Sequence, residues 1–237
     1  MLNKIKKMLM KKDKTKTKDP VEPVQLEDTN IVEDIFNIDE EEVDIQPGDD
    51  YLEHSAEAVG FENREQQWDT YRIIANYIGK GDSVLDFGSG RGDFERFFES
   101  EFNETLEYIG IDMNQQLVNA GKKVYNDEVK LICDSWFKLD EEIKQDWSIN
   151  IGSNNLRYDA DTVRDDMAYL QDTIKSMMAH CKKGSVVLLA SDQGGIEDGL
   201  TNWNAGEVLN WAQKEFGIVA IDHTFSNDIF TLIIYKN

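Results

Sequence analysis

Three aspartates, each at the end of an apolar run, carry the chemistry this sequence offers. The densest signal is Asp82-Ser83-Val84-Leu85-Asp86-Phe87-Gly88-Ser89-Gly90-Arg91-Gly92, where an apolar segment breaks into a glycine turn. Such a turn lets the backbone pass close to a ligand that any Cβ would strike. Asp86, just ahead of it, suits an ammonium group. The same carboxylate would repel a pyrophosphate, and dinucleotide-binding GxGxxG turns normally carry no acid before their first glycine. Asp112 ends the run Tyr108-Ile109-Gly110-Ile111, 26 residues after Asp86. An acid at that strand tip is placed to accept from two ribose hydroxyls, a feature shared with NAD enzymes. Asp134 follows Val129–Cys133 and precedes Ser135 and Trp136. Alone it reads as a loop or capping acid. In series it puts a carboxylate at a third strand tip.

The elements that must position these groups alternate along the chain. Strands are expected at 83–87, 108–112, 129–133, 147–151, 185–190, 218–225 and 229–236. Helices are expected at 63–77, ended by Gly79 and Gly81, and at 93–101, 114–124, 162–180 and 205–216. Strand–helix alternation implies parallel strands with helices on both faces of the sheet. The last two strands are joined by the short turn Ser226-Asn227-Asp228, which cannot make a parallel return. The expected fold is thus α/β and Rossmann-like, with seven mostly parallel strands and an antiparallel strand from the C-terminal hairpin. The folded domain is read as 51–237. Residues 1–50 read as a basic, then acidic, disordered tail.

The D-x-G-x-G-x-G spacing resembles the class I methyltransferases that use S-adenosyl-L-methionine (SAM). That likeness implies cofactor contacts from Asp86, Gly88, Ser89, Gly90, Asp112, Met113, Asp134 and Ser135. In the family, an acid at the position of Asp134 accepts from the adenine amino group, and the residue at Met113 often packs on the adenine. The segment Asn150-Ile151-Gly152-Ser153-Asn154-Asn155-Leu156 falls where the family lines its transfer site. Asn154 and Asn155 read equally as substrate-orienting residues and as turn caps. The amino-methyltransferase signature with paired prolines is absent, as is the Pro-Cys of cytosine-C5 enzymes, which counts against DNA-base methylation. GFENREQQWDTYRIIANYIG, IGSNNL and HTFSNDIFTLIIYK are similar to a bacterial and phage-type subgroup, with the likeness spanning 51–237. In it, the helix before the first strand covers the cofactor. That makes Arg64 and Gln67 candidate contacts, with a surface salt bridge as the other reading of Arg64.

Charge narrows the acceptor. The formal net charge is −22. Residues 1–18 hold eight lysines and one acid, so the remainder carries 17 basic and 46 acidic residues. Such a body disfavours long nucleic acid as a partner and leaves a small molecule or a protein as the unknown methyl acceptor. Leu2, Ile5, Met8 and Leu9 lie at helical spacing among lysines, as in a segment that docks on a membrane surface or a protein. A frayed terminus is the plainer reading. Cys133 and Cys181 sit in no metal-binding pattern, and no apolar run reaches membrane-spanning length. A cytoplasmic location follows, that of the host if the chain is phage-encoded. No metal site is expected, because acids and histidines do not cluster at ligand spacing. Methyl transfer requires no fixed base, so no catalytic residue is assigned. His54, His180 and His223 read as structural. Two other readings stay open. One is a different transferase of SAM-like nucleosides, using the acidic loop Gly194-Gly195-Ile196-Glu197-Asp198. The other is a non-catalytic module tethered by its tail to an assembly such as a phage particle.

Overall fold

The computed structural model describes residues 49–156, 166–195 and 200–236. The expectations for residues 1–48, for the start of the helix at Thr162 and for Ile196, Glu197 and Asp198 lie outside the described residues. The elements in order are α1 (Asp49–His54), α2 (Arg64–Ala75), β1 (Ser83–Phe87), α3 (Asp93–Phe102), β2 (Glu107–Asp112), α4 (Gln115–Val124), β3 (Lys130–Cys133), β4 (Gln145–Ile151), α5 (Asp166–Ala179), β5 (Cys181–Ala190), α6 (Ala205–Phe216), β6 (Val219–Asp222) and β7 (Ile229–Tyr235). Single 3-10 turns occupy Glu57–Val59, Trp136–Lys138 and Ser153–Asn155.

The seven strands make one sheet in the order β3-β2-β1-β4-β5-β7-β6. Strands β1 to β5 pair in parallel, and β7 runs antiparallel to both β5 and β6. The expected fold class holds, including the antiparallel strand. Strand order reverses between β1 and β4, because the chain first builds outward through β2 and β3 and then returns. Open α/β sheets bind ligands at the carboxyl ends of the strands at such a reversal.

Side chains alternate across the sheet and divide the core between its faces. Val84, Tyr108, Leu131 and Ile149 face α2, α3 and α4, through Tyr71, Phe94, Phe97 and Val118. Leu85, Phe87, Ile111, Val187 and Leu232 face α5 and α6, through Leu170, Ile174, Met177 and Val208. Asp86, between Leu85 and Phe87, therefore lies on the α2–α4 face. At the other end of β1, Ser83 and Asp146 exchange two hydrogen bonds, Ser83 N–H to Asp146 Oδ2 at 3.1 Å and Asp146 N–H to Ser83 Oγ at 2.8 Å. Those bonds set the β1–β4 register.

Of the boundaries that differ from the sequence expectation, three have a visible cause. Helix α2 stops at Ala75, before the glycines, because Tyr77 and Ile78 donate to Ile74 and Ala75 in tighter turns. Strand β5 starts four residues early, at Cys181, and an irregularity between Gln145 and Trp147 absorbs the added length. Strand β6 ends at Asp222, whose Oδ1 accepts from Thr224 N–H and Thr224 Oγ and so turns the chain before His223.

Helix α4 packs so tightly beneath the glycine turn that a Cβ at Gly121 would run into the Arg91 carbonyl. Gly121→Ala should therefore cost about 1–3 kcal/mol through overpacking, despite the higher helix propensity of alanine. The midpoint of thermal unfolding should fall by about 2–4 °C per kcal/mol. An unchanged midpoint would show that α4 can move away from the turn freely.

Candidate functional site

The carboxyl end of β1 runs directly into the turn Gly88–Gly92. All three glycines have positive φ, 78° at Gly88, 57° at Gly90 and 82° at Gly92, which side-chain-bearing residues rarely adopt. The turn is tied to β2, with Gly88 and Ser89 both donating backbone N–H groups to Ile111 O, at 2.8 and 3.1 Å. Asp112, the next residue, completes the tie. Its Oδ2 accepts from Gly90 N–H and its Oδ1 from Asn114 N–H, each at 2.7 Å. Burial pushes the Asp112 carboxyl up, and these two donors pull it back.

Asp86 is buried, at 3% exposure. Its Oδ2 accepts from the Tyr108 hydroxyl at 2.6 Å. Among the described residues its Oδ1 has no hydrogen-bond partner. Burial raises its pKa to about 7, with the charge of Asp112 adding to the rise and the Tyr108 hydrogen bond opposing it. A buried carboxylate with an unmet oxygen and no cation in contact is costly, and such groups concentrate at functional sites.

The other residues expected from the sequence take varied places. Ser89 packs over Gly110, and its hydroxyl is buried without a partner. Met113 is half-buried against the α5–α6 face. Asp134 meets the site through its backbone, donating N–H to Asp112 O at 3.2 Å. Its side chain is exposed and accepts from Ser135 N–H at 2.7 Å. Ser135 caps the following 3-10 turn, accepting from Phe137 N–H at 3.4 Å. Asp86 and Asp112 thus flank one glycine turn. Asp134 stands beside them with its carboxylate engaged locally.

Gln67 is completely buried, and its amide is consumed. Nε2 donates to the Tyr71 hydroxyl at 3.0 Å and to Asp93 Oδ2 at 2.9 Å, and Oε1 accepts from Arg64 at 2.9 Å. In this structure it is a framework residue. Arg64 also donates to His54 O at 3.0 Å. Asp93 is the hub, accepting further from Arg91 Nη2 at 2.6 Å and from the Tyr125 hydroxyl. Burial alone would raise Asp93, but the Arg91 guanidinium and these donors hold it below the usual carboxylate range. Sequence reading missed Arg91. A charged residue between two glycines reads as a solvated loop, yet Arg91 is fully buried and donates to Leu52 O in α1 at 2.6 Å. Arg91 therefore holds the backbone of the leading segment against the turn, and Arg64 holds it against α2. Val59 of that segment lies over Gly90.

The loop after β4 closes the other side. Asn150 Nδ2 donates to Phe87 O at 2.8 Å and to Ser153 Oγ at 2.6 Å, and Ser153 fills the space beside Gly88. The two following asparagines separate. Asn155 Oδ1 accepts from Ala190 N–H at 3.0 Å and Trp203 Nε1 at 3.2 Å, so it splices the loop to β5. The amide of Asn154 is buried and has no partner at either atom among the described residues. His54 is exposed; His180 is buried with Nδ1 at 2.7 Å from Ser176 O; His223 lies beside Phe230. A recess of about 250 Å³ lined by Ala75, Ile78, Lys80, Phe98, Phe102 and Glu104 sits at the opposite end of the sheet. Among the described residues no helix is long and apolar enough to cross a membrane, and no group of three His, Cys, Asp or Glu side chains could hold a metal ion.

No protein-family model matches the chain, and no curated protein matches its sequence. Solved structures do match in three dimensions. The magnesium protoporphyrin IX methyltransferase of Synechocystis PCC 6803, with S-adenosylhomocysteine (SAH) bound, superposes with a TM-score of 0.51 at 12% identity, covering 79% of this chain and 97% of that one. The PH0226 protein of Pyrococcus horikoshii OT3 gives 0.55 at 15% identity, covering 76% and 93%. The 1,6-didemethyltoxoflavin-N1-methyltransferase of Burkholderia thailandensis, also with SAH bound, gives 0.52 at 14% identity, covering 71% and 77%. The fold is the Rossmann-like fold of methyltransferases. The two named enzymes differ in acceptor, so the shared fold does not by itself fix a function.

The buried Asp86 leaves a signature in stability. Unfolded, the carboxyl releases its proton near 3.8; folded, it keeps it to about 7. The folded state binds more protons between those values, so stability falls as pH rises through them and the loss is complete above 7. The shift corresponds to on the order of 4 kcal/mol. Asp86→Asn should therefore raise the thermal midpoint at pH 8 and change it little at pH 4. Equal effects at both pH values would show that no buried charge is relieved.

Proposed function

We propose that this chain is a SAM-dependent methyltransferase whose cofactor lies at the carboxyl ends of β1 and β2. One observation carries the reading. At the point where strand order reverses, a glycine turn is flanked by a buried carboxylate with an unmet oxygen, Asp86, and by a carboxylate anchored on the turn itself, Asp112. The donor set fits the cofactor. Asp86 Oδ1 would accept from the ammonium group, and Asp112 has lone pairs left for ribose hydroxyls. Asp134 and Met113 would border the adenine. Gly88, Ser89, Gly90 and Ser135 would supply backbone and close contacts.

The cofactor supplies a methyl group already activated on a sulfonium sulfur. The work left to the protein is to align the acceptor and exclude water. Val59 and Ser153, lying against the glycine turn on two sides, suit that second task. A small molecule or a protein is favoured as acceptor over long nucleic acid, because the net charge of −22 opposes a phosphate backbone. The proposal extends to a cytoplasmic enzyme similar to the bacterial and phage-type subgroup that the sequence resembles.

Calorimetric titration with SAH tests the cofactor claim. The wild type should bind, and Asp112→Ala should weaken binding about 10- to 100-fold through the loss of charge-assisted hydrogen bonds. No binding by a folded wild type would end the proposal. Tritiated SAM with fractionated lysate would then identify the acceptor class.

A further inference from the structure

We propose that Tyr108 is a positioning residue for the cofactor: its hydroxyl pins one oxygen of Asp86 and leaves the other as the acceptor for the ammonium group. The proposal rests on the cofactor reading above. It goes further by assigning a role to a residue that no sequence motif marks.

The geometry begins with register. Asp86 on β1 pairs with Gly110 on β2, and Val84 pairs with Tyr108. Gly110 presents no side chain to Asp86, and the space beside it is taken by Ser89 and Leu131. Tyr108, two residues back on the same face, reaches diagonally across the pair. Its hydroxyl meets Asp86 Oδ2 at 2.6 Å, within the short range of a hydrogen bond to a carboxylate. A carboxylate held at one oxygen by a donor on a rigid strand has little freedom to rotate. Oδ1, buried and unpartnered, is thereby fixed as the free acceptor.

The surroundings make this one donor decisive. Asp112, from β2, adds negative charge that favours a proton on Asp86. Tyr71, from α2, is neutral, with its own ionisation suppressed by burial and by Asp93 and Asp86. Asp93 of α3 is paired with Arg91 of the turn, so their charges largely offset. From β4, the register neighbour Ile149 is apolar. Tyr108 is thus the hydrogen bond that favours the ionised carboxylate before a cationic ligand arrives. Even with that bond in place, burial holds the proton on Asp86 up to about 7. The ammonium group then takes the place of that proton, and Tyr108 sets the pH at which the exchange occurs.

The test is the pH profile of SAH affinity from pH 5.5 to 8.5 for the wild type, Tyr108→Phe, Asp86→Asn and the double variant. Wild-type affinity should rise with pH and level off above about 7. Tyr108→Phe should move the plateau upward by about one to two pH units, the weight of one hydrogen bond to a charged group. It should bind about tenfold more weakly at pH 7, with the gap narrowing toward pH 8.5. Asp86→Asn should flatten the profile, and adding Tyr108→Phe to it should change nothing further. A Tyr108→Phe profile that overlays the wild type overturns the proposal and leaves the cofactor reading intact. So does a loss equal at every pH, or one that persists in the Asp86→Asn background. A wild type that binds no SAH at any pH overturns both.

Discussion

Holding a carboxylate inside the sheet without a cation is the constraint on which the rest of the site depends. Asp86 stands on a buried strand, on the face that packs α2, α3 and α4. Taking an ionised group out of water is costly unless it is paired, and here one phenol hydroxyl is its hydrogen-bond donor. The sheet tolerates this because its apolar contacts are extensive on both faces. Natural proteins retain such groups where activity needs them, at some cost in stability.

The second buried acid shows the opposite solution. Asp93, seven residues further on, collects donors from Arg91, Gln67 and Tyr125 and stays ionised. Its network joins the glycine turn, α2 and the end of α4. Through Arg91 and Arg64 it also reaches the carbonyls of Leu52 and His54. Two carboxylates near one turn thus divide the labour. One is fully bonded and organises the backbone. The other keeps an oxygen in reserve.

Where pattern and packing agree, the sequence already contained the fold. The Ser83–Phe87 strand and the Ala205–Phe216 helix fall where continuous apolarity and helical spacing put them. The early start of β5 was hidden because Lys182 and Lys183 look like a loop, whereas Lys183 reaches back to Asp82. The gathering of Asp86, the glycines and Asp112 around one turn was legible, because spacing alone sets that geometry. The site was illegible where burial reverses the usual meaning of a residue. No motif marks Arg91, between two glycines, or Tyr108, within an apolar strand, for the contacts they make. Asn154 and Asn155, indistinguishable in the chain, separate only because Asn155 meets Trp203 and β5.

The placement of β7 bears on how the molecule is made. It is the last of the sheet's seven strands in sequence, yet it lies inside the sheet, between β5 and β6. As the chain leaves the ribosome, β6 has no neighbour to pair with until Ile229–Tyr235 has followed it. The outer flank of β5 likewise stays an open edge, a hazard for association with other chains. The sheet can therefore be completed only once the last of its seven strands has emerged, when that one segment closes two gaps in a single event.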